Sequence, residues 1–454
     1  MISASPPFPE LPPLGHRGKE FSPQRIVLAG WRWLAEYVEP QSGDSLWADL
    51  PTSHGLYLPL RYDPQTRETL GDTSLAWWAE PLVRAFQEPR RRDVIPRVER
   101  RRAAERWLVL NTLDFIWGHS LLILLNAQHY LERYPDHGLI VVCTPALRPF
   151  VPEGTAEVWE LPVTSPQETL AWHEPLAELF AARAASAPTW VARTVSHPEP
   201  GRYSPARFGL AVGHGSEARE ESPWIIFNFR GDRCWGGSVA NERRRLARLG
   251  EHLRRLWPRA RLEIHGFATL PQPVHNWLDR TRRADGNDAG GQDYNARWTE
   301  ELRTADLALG AYGSGMLRPT AVCPAVIALV PLDKQPYAFQ ECLFHDAQSA
   351  NLRAQFWRLR FLYGNSTLSD IAPRQVAHLV NTLLTMERCF QLFQGAAFAD
   401  PEPTPEQQAR IAKIFSQEVA ADTRRWHANA AALDRLSLAS RLWQWLRRQA
   451  SERD

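Results

Sequence analysis

At 454 residues the chain exceeds what a single hydrophobic core usually organises, so two or three domains are expected. With 44% apolar and 23% charged residues it is an ordinary globular sequence, neither disordered nor fibrous. A formal net charge of +2 excludes a general field towards nucleic acid or anionic membrane, and the longest aliphatic run, residues 121–125, is far short of the ~20 residues that span a bilayer.

The positive charge is nearly all arginine, the lysines being Lys19, Lys334 and Lys413. The five cysteines are an odd number at wide spacings with no CxxC, which supports neither a disulfide framework nor a zinc site. Residues 1–15 are Pro-rich and lack the apolar core of a signal peptide, so a reducing cytoplasmic setting is expected.

Taken in order, residues 1–23 read as loose leader, and 25–87 as a Trp-rich segment with turn signals at Ser42-Gly43-Asp44 and Tyr62-Asp63-Pro64. Within it, 53–61 reads as a strand and 74–86 as a helix, together forming a cap on the domain that begins near residue 106. Residues 88–106 carry eight arginines among four acids, the pattern of a solvated helix face. Then the pattern becomes regular: a buried strand at 106–113, the loop Asp114-Phe115-Ile116-Trp117-Gly118-His119, a helix from 120 to 134, strands at 139–144 and 156–161, and mostly helix over 166–185. Strand, helix, strand at this spacing is the signature of a parallel sheet covered by helices.

The Ala, Pro, Ser and Gly content of 182–222 suits an interdomain connection. A second series begins after it: a strand at 224–229, the loop 230–237, a charged amphipathic helix at 241–257, a strand at 261–266, a mobile loop at 282–292, a helix at 298–304, a strand at 306–310, and another at 325–331. The remainder reads as helix at 350–357, 372–393, 405–439 and 442–453. The last sets Leu442, Trp443 and Leu446 beside Arg441, Arg447 and Arg448, a face that either packs on a domain or touches a membrane surface.

The expected fold class is α/β: two Rossmann-like lobes with a Trp-rich N-terminal extension and C-terminal helices. The domains are 1–105 (extension), 106–185 (first lobe), 186–222 (linker), 223–345 (second lobe) and 346–454 (helical region). In open α/β sheets ligands sit at the carboxyl ends of strands, where three loops fall, lining one cleft if the lobes face each other. The most informative is Tyr312-Gly313-Ser314-Gly315-Met316, a strand feeding a Gly/Ser turn that opens a helix and aims backbone N–H groups at one point. It reads as an anion cradle or as an ordinary βα turn. The loop after the 224–229 strand adds Arg230 and Arg233, whose guanidinium groups suit phosphate oxygens, and Asp232, which either meets the ligand side or orients an arginine. In the first lobe Asp114 and His119 are candidates to take a proton from a hydroxyl. Asp114 reads equally as a helix cap and His119 as a structural histidine. Trp117, with Gly118 beside it, offers a flat face for a sugar.

The stretch LRTADLALGAYGSGMLRPTAV is similar to the donor segment of GT-B type glycosyltransferases, in which a strand leads into Gly-x-His-Gly-(Ala/Ser)-(Gly/Asn)-(Leu/Met) and then a helix. The matching positions are Gly310, Tyr312, Gly313, Ser314, Gly315 and Met316, with tyrosine in place of the usual histidine. FNFRGDRCWG (227–236) resembles the arginine loop such enzymes use on the nucleotide diphosphate, and LDFIWGHSLLILLNAQ their acceptor-lobe opening. The resemblance implies a nucleotide diphosphate-sugar donor, a glycan or glycoconjugate hydroxyl as acceptor, and a cytoplasmic enzyme of polysaccharide synthesis. It also implies neither cofactor nor metal, in keeping with the absence of a DxD triplet. The alternatives are a nucleotide-sugar epimerase, a polysaccharide pyruvyl transferase, or a non-catalytic glycan-binding protein, which the tyrosine at 312 favours.

Overall fold

The computed structural model describes residues 1–196, 198, 203–210, 212–215, 221–231, 233–266, 280–283, 292–334 and 359–397, with scattered positions between 405 and 432. Asp232, most of the loop expected at 282–292, the helix expected at 350–357, most of 405–439 and the terminal helix at 442–453 lie outside the described residues. The described residues fall into two compact units, the first within Met1–Leu210 and Asp285–Arg297 and the second within Ala211–Ala284 and Trp298–Asp454.

The first unit opens with β1 (Ile2–Ser3) and continues into an antiparallel meander: β2 (Leu14–His16), β3 (Lys19–Leu28), β4 (Trp33–Val38), β5 (Ser45–Asp49), β6 (Arg61–Asp63) and β7 (Glu68–Leu70). Each strand pairs with the next. Helix α1 (Ala76–Gln87) and edge strand β8 (Arg97–Arg100) come after the meander. Next are β9 (Trp107–Asn111), α2 (Trp117–Arg133), β10 (Gly138–Cys143), β11 (Glu157–Glu160), α3 (Glu174–Ser186) and β12 (Thr189–Val191). The second sheet runs β1-β12-β9-β10-β11-β8, parallel in its four inner strands and antiparallel at both edges.

The two central strands, β9 and β10, are nearly continuous apolar runs because both faces are covered. Val109, Ile140, Val142 and Trp159 belong to the same buried cluster as Leu28, Leu34 and Leu46 of the meander. Trp31, Trp33, Trp47 and Trp78 of the N-terminal segment are therefore core residues, while Trp77 stays exposed. Trp33 packs edge-on against Phe180 at 4.8 Å, and Trp47 against Trp172 at 5.5 Å.

Several local expectations are corrected here. Residues 1–23 are not loose: Ile2 is fully buried and pairs with Val191, and the chain from Leu14 is already strand. The segment 53–61 is not a strand, since Ser53–Leu56 is a 3-10 turn and pairing resumes at Arg61. The arginine run at 88–106 is not a helix face, because Arg97–Arg100 hydrogen-bonds to β11 as an edge strand, where alternating side chains keep charge in solvent. The stretch 182–222 holds the end of α3 and β12, a central strand too short for its periodicity to show.

The second unit is one parallel sheet. Its elements are β13 (Trp224–Phe229), α4 (Val239–Leu256), β14 (Arg261–Gly266), β15 (Arg280–Arg283), the part of α5 (Gln292–Thr304) from Trp298 on, β16 (Leu307–Ala311), α6 (Leu317–Val322), β17 (Val326–Pro331), β18 (Leu359–Gly364) and α7 (Pro373–Ala397). The order is β15-β14-β13-β16-β17-β18. The chain starts in the middle, winds outward one way through β14 and β15, then returns to the other side of β13 with β16. This is the doubly wound order whose switch point, between β13 and β16, places a crevice at the strands' carboxyl ends. Ser238 caps α4, its hydroxyl accepting from the Asn241 N–H, and Leu246, Leu249 and Leu253 on one face of that helix join a core with Val376 and Val380 of α7. Strand β18 corrects the expectation that the chain beyond 346 is helical. Among the described residues no helix is long and apolar enough to cross a membrane.

Candidate active site

At the switch point the sequence-predicted donor residues come together. Asn228, a buried amide in an otherwise apolar strand, donates from Nδ2 to the Gly315 carbonyl at 3.0 Å and lies 3.4 Å from the Met316 sulfur. It ties the end of β13 to the turn after β16. Tyr312 closes the strand through its N–H to the Leu329 carbonyl. Gly313 sits at φ 110°, in the left-handed half of backbone space that glycine alone enters freely.

Both arginines lie on this turn. Arg233 donates from Nη1 to the Tyr312 carbonyl at 2.9 Å, with its guanidinium 4.6 Å from the Tyr312 ring centroid. A Cβ on Gly313 would lie 1.8 Å from that Nη1, and one on Gly315 3.0 Å from Nη1 of Arg230. The two glycines thus serve close approach: without side chains, each lets one guanidinium rest against the backbone. Ser314 is buried under them.

The helix expected to open at Met316 is shorter than the sequence suggests. Ser314–Met316 is a 3-10 turn that runs into the six residues of α6. Cys323 ends it because Pro324 comes next, and the residue before a proline is held extended. Positive charge at this site comes from the arginines rather than from a long helix dipole.

The loop carrying the arginines is braced from behind. The Gly236 N–H donates to the Thr367 carbonyl at 2.8 Å, and fully buried Trp235 donates from its indole to the Ile371 carbonyl at 3.1 Å. The Trp235 backbone N–H donates to Oε1 of Glu242 at 2.8 Å. Burial pushes the Glu242 carboxyl up, and hydrogen bonds from Trp235 and Cys234 offset only part of that, leaving it at about 8. Sequence reading missed Glu242, whose place in the first turn of α4 looks like routine helix-start chemistry. It also missed Asn228, for which one polar residue in WIIFNF was the available signal.

In the first unit Asp114 comes after β9 and His119 lies in the first turn of α2. Asp114 does not cap that helix: the cap position is Ile116, and Oδ1 of Asp114 accepts the Ile116 N–H at 2.8 Å in a local turn. Asp114 is buried, with His119 Nδ1 at 3.6 Å from Oδ1 and His54 Nε2 at 3.2 Å from Oδ2. Burial raises the carboxyl, but the neighbouring imidazoles of His119 and His54 outweigh it and hold it below the usual carboxylate range. The His119 side chain keeps 20% exposure. His54 comes from the N-terminal meander, sixty residues from its partner, and no sequence motif joins them. Trp117 packs edge-on against Phe150 at 5.8 Å, and Gly118 is buried in α2.

The fold defines an α/β protein whose second unit is a doubly wound sheet with an arginine-lined glycine turn at its switch point. No family model and no curated protein matches the chain. Among solved structures, it is similar to the ADP-heptose lipopolysaccharide heptosyltransferase II of E. coli, with TM-score 0.37 and 16% identity over 62% of this chain and 99% of that one. It is likewise similar to a glycosyl transferase family 9 protein from Veillonella parvula, with TM-score 0.39 and 13% identity over 63% and 99%.

Proposed function

We propose that the protein is a glycosyltransferase that takes a sugar from a nucleotide diphosphate donor and passes it to a hydroxyl of a glycan or glycoconjugate. The observation that carries this reading is the placement of Arg230 and Arg233 against the glycine turn, at the switch point of a doubly wound sheet. Two guanidinium groups beside one glycine turn suit a diphosphate. They would stabilise its charge as the glycosidic bond breaks, so the diphosphate needs no cation there. Gly313, Ser314, Gly315 and Met316 supply the turn, and Tyr312 fixes Arg233 through its carbonyl and its ring.

Of the two proton-accepting candidates, His119 suits the direct role. Asp114 is buried with both oxygens engaged, so it orients the imidazole and balances its charge, while His119 retains exposure.

The test is thermal-shift titration of the purified chain with UDP, GDP, ADP, CMP and their sugars, without and with EDTA. A ligand at about 100 times its Kd adds about 2.7 kcal/mol. An EDTA-insensitive shift selective for one base, lost in Arg230→Ala and Arg233→Ala, is expected. A shift that both variants retain, or no shift with any nucleotide, overturns the reading. The tyrosine at 312 favours a second reading, a non-catalytic glycan-binding protein. Donor hydrolysis that disappears in a His119→Ala, Asp114→Ala double variant rejects it.

A further inference from the structure

His54, Asp114 and His119 bring two imidazoles and a carboxylate to one point of the first unit from three separate elements. One donor atom from each lies within 4.8 Å of the others. The nitrogen-to-oxygen separations are 3.2 Å from His54 and 3.6 Å from His119, and the two rings stand 5.6 Å apart between centroids. The two separations run to different carboxylate oxygens, Oδ2 from His54 and Oδ1 from His119. Ligands at the 2.0–2.1 Å bond lengths of a tetrahedral zinc ion are separated by about 3.3 Å, so small side-chain rotations would bring one oxygen and the two nitrogens onto such an ion.

The surroundings are those of a supported site. The Ile116 N–H holds Oδ1 of Asp114, fixing the carboxylate plane. Trp77 and Trp78 pack edge-on against the His54 ring, each at 5.5 Å, and give it an apolar wall. His54 and Asp114, though not His119, line a small cavity of ≈ 20 Å³ with Thr52 and Asn111, room for about one water beside them. Arg32 also borders it, but its charge is balanced by Asp49, 2.6 Å away.

We propose that His54, Asp114 and His119 bind a divalent transition-metal ion of the zinc class, with the fourth position open to water. Two imidazoles favour zinc, cobalt or nickel over magnesium and calcium, which prefer all-oxygen shells. The proposal contradicts the expectation, drawn from cysteine spacing and the missing DxD, that the chain holds no metal. Those signals are local, whereas His54 lies sixty residues before Asp114 in the chain.

The experiment uses the full chain, stripped with EDTA and then dialysed free of it. Zn²⁺ binding is measured by calorimetry, and Co²⁺ binding by the visible absorption of a tetrahedral nitrogen–oxygen site. One equivalent is expected to bind with a Kd of about 1 µM or tighter, unaffected by excess Mg²⁺, and to weaken about 100-fold in His54→Gln and in His119→Gln. His137→Gln, a histidine of the same unit away from the cluster, should bind as the parent does. No zinc binding by the parent chain, or the parent's affinity retained in His54→Gln and in His119→Gln, overturns the proposal. Should those variants fail to fold, the parent's cobalt spectrum decides: a purely octahedral, weakly absorbing ion overturns it. The inference stands apart from the diphosphate reading, because nucleotide binding in EDTA tests that one and cation binding without nucleotide tests this one. It replaces the proton-accepting role of His119, since a coordinated imidazole has no lone pair left to take a proton.

Discussion

Gly313 is where a single Cβ has the most to disturb. It is at φ 110° and a methyl there would lie 1.8 Å from the Arg233 guanidinium. Gly313→Ala should cost about 1–3 kcal/mol by chemical denaturation and abolish the nucleotide-dependent thermal shift, since Arg233 must leave the turn. Unchanged nucleotide binding in a folded variant would show that Arg233 is not a ligand group. Glu242 makes a prediction of opposite character. Its carboxyl stands at about 8 in the folded protein, above the 4.5 of an ordinary glutamate. Below pH 4.5 folded and unfolded chains both hold the proton. As pH rises towards 8 the unfolded chain releases it first, so this group makes stability fall across that window. Glu242→Gln should flatten the stability profile between those limits, measured by urea unfolding at several pH values. A slope equal to the parent's would mean that Glu242 is ionised in the fold.

At the scale of elements, buried polar groups tie the meander to itself and to α1 through Arg32, and to the parallel sheet through Asn111. Arg32 is buried, its guanidinium 2.6 and 2.8 Å from the two oxygens of Asp49 and 3.6 Å from the Trp78 ring centroid, and it also donates to the Trp78 carbonyl. Asn111, at the end of β9, donates to the Gly30 and Trp31 carbonyls. Removing one partner of such a buried ion pair strands the other. Arg32→Ala should therefore destabilise by about 3–5 kcal/mol, whereas Arg32→Met with Asp49→Leu should recover most of that loss. The readout is the denaturation midpoint of each variant. A double variant no better than the single one would mean that packing on Trp31 and Trp78, not charge, sets the cost. These contacts explain why the meander looked like an appendage in the sequence. Its tryptophans and turn residues carry no period, and only their burial against α3 and β9 shows their purpose.

For the molecule as a whole, the two main buried clusters share no residue, one drawn from Ile2 to Val191 and the other from Ile225 to Leu384. Thermal unfolding should then depart from a two-state transition, the calorimetric enthalpy exceeding the van 't Hoff enthalpy. Equality of the two would show that the cores melt as one. The same division marks how far the chain could be read. The strands at 107–111, 138–143, 224–229, 261–266, 307–311 and 326–331 and the helices between them were legible, because each is a run of apolar residues or a 3.6-residue stripe closed by turn signals. The glycine turn at 312–316 and the arginines at 230 and 233 were legible as a pair of loops. That information is local, held within a window of a dozen residues. What only the tertiary structure decided is non-local: the strand order that brings β16 beside β13, the brief strands β1 and β12 that pair with each other, and the fold-back that sets His54 on Asp114. Pairing and burial at long range depend on what every other segment leaves uncovered, and no single stretch of sequence carries that.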